Sequence, residues 1–131
     1  MNEIDKLAWL HLNDKQLLVA RSKGKENYYI PGGKREPDES DHVALVREIK
    51  EELSVDLLLN TIKYMGTFTA QADSKPTDTL VKLTCYVAEF TGTLQAAAEI
   101  EELRWVRYED KACCSLVTQI VMDWLKAEGL I

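Results

Sequence analysis

The 131-residue chain has no apolar run long enough to cross a membrane, which excludes a helical membrane span. It has only three cysteines, Cys85, Cys113 and Cys114, an odd number with two adjacent. That count suits small buried thiols in a reducing cytoplasm better than a disulfide framework. Their spacing makes no zinc site. Basic residues are in deficit, 16 against 22 acidic ones, for a formal net charge of −6. The deficit argues against a broad phosphate-binding surface for a nucleic acid polymer. It leaves room for a small anion, because a bound metal reverses the local field. The start, MNEIDKLAW, carries acidic residues where a signal peptide needs an apolar core, so the expected location is cytoplasmic. There is no internal repeat, low-complexity tract or linker.

What is present is the make-up of one globular domain. Hydrophobic residues are 46% and charged residues 29% of the chain. The length suits a single domain over 1–131 with a sizeable core. Lys6–Leu12 and Gln16–Ser22 read as strands joined at Asn13-Asp14-Lys15, a hairpin signal. Lys23–Asn27 is a charged loop, and Tyr28–Ile30 a short strand running into Pro31-Gly32-Gly33. Leu57–Ala70 reads as extended and interrupted at Gly66. Gln71–Asp78 is a loop, Thr79–Thr91 is rich in β-formers, Gly92–Glu101 is a loop, and Leu103–Tyr108 is a last strand. Ser115–Glu128 reads as a helix capped by Ser115, with Leu116, Ile120, Val121, Trp124 and Leu125 as its apolar stripe.

The chain is organised around Gly33–Val55, GKREPDESDHVALVREIKEELSV. A helix starts near Ser40 or Asp41 and ends near Ser54. At about 100° per residue, Leu45, Val46, Ile49 and Leu53 share a core-facing side. Glu48, Glu51 and Glu52 lie at i, i+3 and i+4 on the adjacent side. Like charges so placed repel by roughly 0.2–0.5 kcal/mol per pair. The arrangement makes sense if something positive faces it, and a hard divalent cation is the natural candidate.

This stretch resembles the Nudix box, G-x5-E-x7-R-E-U-x-E-E-x-G-U, where U is aliphatic. Gly33, Glu39, Arg47, Glu48, Ile49, Glu51, Glu52 and Val55 fall on its fixed positions, and Ser54 stands where the family has glycine. The resemblance implies an α/β/α sandwich with a mixed β-sheet. It implies a MutT-like enzyme that uses Mg2+ or Mn2+ to cut the diphosphate bridge of a nucleoside diphosphate linked to a group X. The partner is then a small nucleotide-type molecule, and a homodimer is the expected assembly. A catalytically silent module of the same fold is the alternative.

By motif position Glu51 and Glu52 are the main metal ligands. Glu48 is a further ligand or the residue that orients or deprotonates the water, and Glu52 is the third catalytic candidate with Glu48 and Arg47. Arg47 forks onto Glu48 or Glu39. Glu39 is a loop brace. One more acidic ligand is expected from outside the box, Glu99 ahead of Glu101 and Glu102. Gly32, Gly33 and Lys34 offer backbone amides and a cation to phosphates. Tyr29, Phe68 and Gln71, with Tyr28 and Tyr86, are candidates to line the pocket for X. Ser54 either carries left-handed strain of about 1 kcal/mol or ends the helix differently.

Overall fold

The computed structural model describes residues 2–72 and 78–131. Its strands are β1 (Asn2–Trp9), β2 (Leu12–Asn13), β3 (Gln16–Ser22), β4 (Gly32–Gly33), β5 (Asp56–Leu57), β6 (Lys63–Gln71), β7 (Thr79–Val87), β8 (Phe90–Thr91) and β9 (Ile100–Val106). Two helices, α1 (Asp41–Leu53) and α2 (Leu116–Ala127), complete it with short 3-10 turns at Leu59–Thr61 and Tyr108–Cys113. The main sheet runs β4-β1-β7-β6, and a second runs β2-β3-β9. β1 lies parallel to β7, while β4 and β6 are antiparallel to their neighbours, so the sheet is mixed.

Alternation along β1 and β3 explains the sandwich. Leu7, Trp9 and Leu18 face Ala44, Leu45, Ile49 and Leu53 of α1. Ala8, Leu10, Leu17 and Val19 face Val117, Val121, Met122 and Leu125 of α2. Both faces are covered, and this is why LAWL and LLVA are unbroken apolar runs. Asp14 and Lys15, with φ of 53° and 62°, make the two-residue turn between Asn13 and Gln16. No helix among the described residues is long and apolar enough to span a membrane.

Several expected boundaries move. β1 begins at Asn2, because its first residues pair in parallel with Thr79–Lys82, a bond pattern invisible in side-chain alternation. It ends at Trp9, and Leu12 belongs to β2. Tyr28 and Tyr29 make only single bridges, to Cys114 and Ala20. The segment expected as Leu57–Ala70 is split by the turn at Leu59–Thr61, and β6 and β7 shift register between Tyr64 and Gly66. Most of the expected loop Gln71–Asp78 lies outside the described residues. The last strand starts at Ile100 and stops at Val106, because Tyr108 enters a 3-10 turn.

The α2 stripe needs correcting. Leu116 and Ile120 are 47% and 39% exposed, whereas Val117, Thr118, Val121, Met122 and Leu125 are buried. The helix is apolar around much of its circumference, so periodicity fits more than one face; the sheet selects the one ending in Val117, Val121 and Met122. Trp124 is half-buried against Phe68, ring centroids 5.6 Å apart. Ser115 precedes the helix, but its hydroxyl donates to Thr118 Oγ1 at 2.9 Å and caps no backbone amide.

Candidate active site

Three local devices assemble the site. The first is the β1–β4 pairing, in which Leu7 faces Gly33 and Ala8 faces Gly32. A Cβ on Gly32 would lie 1.9 Å from Leu7 O, so only glycine lets these backbones meet. A Cβ on Gly33 would lie 1.9 Å from Glu48 Oε2, so the bare backbone there leaves the space that the carboxylate fills.

The second is the start of α1. Ser40 Oγ accepts from Val43 N at 3.2 Å, which caps the helix. Glu39 Oε1 accepts from Glu36 N at 2.7 Å. Arg47 forks onto Glu39 through Nε and Nη2 at 2.7 and 2.8 Å. Its Nη1 donates to Glu48 Oε1 at 2.8 Å and Glu51 Oε1 at 3.2 Å, and its Nη2 also reaches Lys34 O at 3.1 Å. Held by these bonds, Glu39 titrates far down, at about 2, chiefly through Arg47 and then the Glu36 amide. The positive partner of Glu48 and Glu51 is therefore, in part, Arg47 itself.

The third is the end of α1. Ser54 sits at φ 66°, ψ 18°, the left-handed position the family gives to glycine, and its amide donates to Lys50 O. The terminal carbonyls of Leu53 and Glu52 accept from Gln95 N and Ala97 N, both at 3.0 Å. This satisfies groups that a helix end leaves open. It also docks the loop before β9 on the helix and brings Glu99 beside Glu52. Glu99 O is held by Lys23 N at 2.8 Å.

The result is a cleft of about 920 Å³. Glu48, Glu52 and Glu99 line its acidic part, with Gly32, Gly33, Lys34 and Tyr29 beside them. Glu52 is 4% exposed and its Oε1 accepts from Gly32 N at 3.2 Å. Burial, and then a hydrogen bond shared with Glu99, push its carboxyl up to about 8. Burial raises Glu48 also, against the pull of Arg47. Carboxylates crowded until one prefers its proton are short of positive charge, and oxygen donors alone suit a hard divalent cation. The donor set of Glu52, Glu99 and Glu48 fits such an ion in chemistry. Among the described residues, no three His, Cys, Asp or Glu side chains as placed converge tightly enough to enclose one.

The other candidates are spread out. Glu51 is outside the lining, its side chain 54% exposed and tied to Arg47. Glu102 bonds Arg21 and Tyr28 on the outer surface, and Glu101 is exposed. Phe68 packs on Trp124, and neither it nor Gln71 lines the cleft. Tyr86 donates to Asp41 Oδ2 at 2.7 Å on the α1 side. Sequence reasoning missed Lys6, Lys25, Asn27, Ser115 and Thr118, which also line the cleft. No motif marks them. The alternation of β1, which puts Lys6 on the face opposite Leu7, is a sequence signal that could have found one of them.

Fold and site define a class. The NUDIX domain profile matches residues 4–116, and the chain belongs to the Nudix family. It is a hydrolase of phosphoric anhydrides, and enzymes of this family generally use divalent metal ions. The chain is 31% identical over 115 residues to the CTP pyrophosphohydrolase of Escherichia coli K12, covering 84% of this chain and 80% of that protein. It is 33% identical over 98 residues to mouse diphosphoinositol polyphosphate phosphohydrolase 3-alpha, covering 74% of this chain but 57% of that longer protein. Among solved structures, the E. coli ORF135 protein superposes with TM-score 0.75 at 27% identity, over 97% of this chain and 91% of that one. The MutT protein of Methanosarcina mazei Go1 shares the fold with TM-score 0.77 at 20% identity, over 98% of this chain and 96% of that one.

Proposed function

We propose that the protein is a Mg2+-dependent pyrophosphohydrolase of small nucleotides, cutting the diphosphate bridge of a nucleoside diphosphate linked to a group X. The observation that carries this reading is the two-part character of the cleft. One part holds Glu48, Glu52 and Glu99, and the rest is walled by the charged side chains of Lys6, Lys25, Lys34 and Glu26, the polar ones of Asn27, Tyr29, Ser115 and Thr118, and apolar side chains. A cation bound at the acidic end would supply charge neutralisation for the phosphates and acidify an attacking water. Glu52 and Glu99 would hold it, with Glu48 as a further ligand or as the base that takes the proton from water. Glu51 reaches the cation only by giving up Arg47. Arg47 positions Glu48 by fixing one of its oxygens. Lys6, Lys25 and Lys34 would face the phosphates, and Gly32 would serve through its amide, which holds Glu52. Tyr29, Asn27, Ser115 and Thr118 face the sugar and base.

The name of the E. coli relative makes CTP and other nucleoside triphosphates the first substrates to try. A single domain over 1–131, from the chain length, and a cytoplasmic location, from the cysteine usage, belong to the same reading; a homodimer rests on the family resemblance alone. The test is a screen with Mg2+ or Mn2+ against nucleoside triphosphates, oxidised nucleotides, nucleotide sugars and dinucleoside polyphosphates. Wild type and Glu52→Gln are run together, and phosphate and pyrophosphate are read separately. A hit lost in the variant supports the reading and names X. Turnover that survives Glu52→Gln, or no turnover and no metal binding by calorimetry, overturns it.

A further inference from the structure

Behind the cleft wall, two thiols of adjacent residues point together. Cys113 Sγ and Cys114 Sγ are in hydrogen-bond contact at 3.8 Å and are not joined as a disulfide. Arg104 Nη1 donates to Cys113 Sγ at 3.6 Å, and its guanidinium lies 5.5 Å from the Tyr28 ring centre. Cys113 is half-buried and within reach of a small reagent, while Cys114 is 2% exposed and kept protonated mainly by burial.

The backbone here is bonded to the cleft. Cys113 O accepts from Tyr28 N at 2.9 Å, Cys114 N donates to Lys111 O at 3.0 Å, and Ser115 N donates to Tyr28 O at 2.8 Å. Asn27, Tyr29 and Ser115, the neighbours of these groups, line the cleft. We propose that Cys113 and Cys114 form a reversible oxidation site for hydroperoxides, and that closing it frees the Tyr28 amide and so loosens the cleft wall at its neighbours Asn27 and Tyr29.

The chemistry balances. Cys113 sulfur, giving up its proton, attacks one peroxide oxygen, the O–O bond breaks, and a sulfenic acid forms while the other oxygen leaves with that proton as water. Cys114 sulfur then attacks Cys113 sulfur, the S–O bond breaks, and the thiol proton leaves with that oxygen as water. The two thiols lose two electrons, which the peroxide gains. Neighbouring Cα atoms are about 3.8 Å apart, closer than the usual span of about 4.4–6.8 Å across a disulfide. The ring therefore closes only if the Cys113–Cys114 peptide twists. That turns Cys113 O away from Tyr28 N and Cys114 N away from Lys111 O.

The full chain is treated with hydrogen peroxide, and free thiols are then alkylated. Mass spectrometry should find the peptide holding both cysteines two hydrogens lighter and unalkylated, with Cys85 unchanged. Hydrogen exchange should speed by about fivefold to tenfold at Tyr28, as expected when one hydrogen bond is lost. Exchange in α1 should not change, and dithiothreitol should reverse both effects. Cys114→Ser should stop at a sulfenic acid trapped by dimedone, and Cys113→Ser should give neither product. Full alkylation of both thiols after peroxide, a stable sulfinic acid at Cys113 without a bridge, or a bridge with unchanged exchange at Tyr28 would each overturn the proposal. Neither readout uses turnover, so the result stands apart from the substrate assignment.

Discussion

Gly33→Ala separates the geometry of catalysis from the stability of the fold. A Cβ at this position would sit 1.9 Å from Glu48 Oε2, 2.4 Å from Cδ and 3.0 Å from Cγ. These atoms end a flexible side chain, so Glu48 yields and the backbone stays. Opening 1.9 Å to a tolerable 3.0 Å moves the carboxylate by 1.1 Å. A misplacement of about 1 Å in a reacting group lowers turnover by about 10²-fold. Glu48 would also leave Arg47, a charge-assisted bond worth about 1.5–3 kcal/mol at most, and less here because both side chains keep some contact with water. The melting temperature should fall by only a few degrees. Gly32→Ala is the control. Its Cβ meets Leu7 O at 1.9 Å and Ala8 Cα at 2.9 Å, and its φ is +153°. Backbone cannot rotate away, so overpacking of about 1–3 kcal/mol adds to backbone strain of about 1–3 kcal/mol. At about 4 °C per kcal/mol, that lowers the melting temperature by about 8–24 °C. The assays are thermal melting and steady-state turnover on the nucleotide hit with Mg2+. Gly33→Ala within threefold of wild-type turnover, or as unstable as Gly32→Ala, would refute the reasoning.

Glu52→Gln should abolish the thermal protection that Mg2+ gives, about 2.7 kcal/mol at a hundred times Kd, while leaving the metal-free protein at least as stable; a variant still protected by Mg2+ contradicts the site. Arg47 holds Glu39 at about 2, below the ordinary 4.5, so the stability this pair supplies is present above pH 4.5 and is lost as pH falls towards 2. Urea midpoints measured from pH 5 to 2 should therefore drop less steeply in Glu39→Gln than in wild type. Ser54→Gly should relieve about 1 kcal/mol of left-handed strain but lose the bond from Ser54 Oγ to Gln95 O, 3.2 Å and exposed, so the melting temperature should change by no more than a few degrees and turnover should hold. A tenfold change in turnover without a change in metal affinity would contradict that. Leu125→Ala should cost about 2–5 kcal/mol by urea denaturation, and Ile120→Ala less than about 1, because only the first is buried; equal losses would return Ile120 to the core face.

How much was legible depended on whether the information was local. The α1 core face expected from 3.6-residue periodicity is Leu45, Val46, Ile49 and Leu53; Leu45, Ile49 and Leu53 are fully buried, while Val46 is only partly buried against the same cluster. Its ends follow from Ser40 and Ser54, whose conformations cap the helix. Box residues stand close in sequence on one loop and one helix, so their spacing alone puts Arg47 within reach of Glu39 and Glu48. Periodicity does not fix the apolar stripe of α2, because Leu116, Val117, Ile120, Val121 and Met122 offer two faces, and only the sheet against them chooses.

The sequence by itself determined a single acidic chain with an amphipathic carboxylate helix after a Gly-Gly turn, because composition, periodicity and motif spacing are properties of neighbours along the chain. Only the tertiary structure decided which carboxylates share the cleft. Glu51 points to Arg47 and solvent, while Glu99, distant in sequence, arrives beside Glu52 because the open carbonyls at the end of α1 take their hydrogen bonds from Gln95 and Ala97. The rest of the cleft, Lys6 from β1, Asn27 from a loop and Thr118 from α2, is joined only by sheet pairing and helix packing. Long-range backbone bonds and apolar burial bring these residues together, and neither leaves a mark in local sequence.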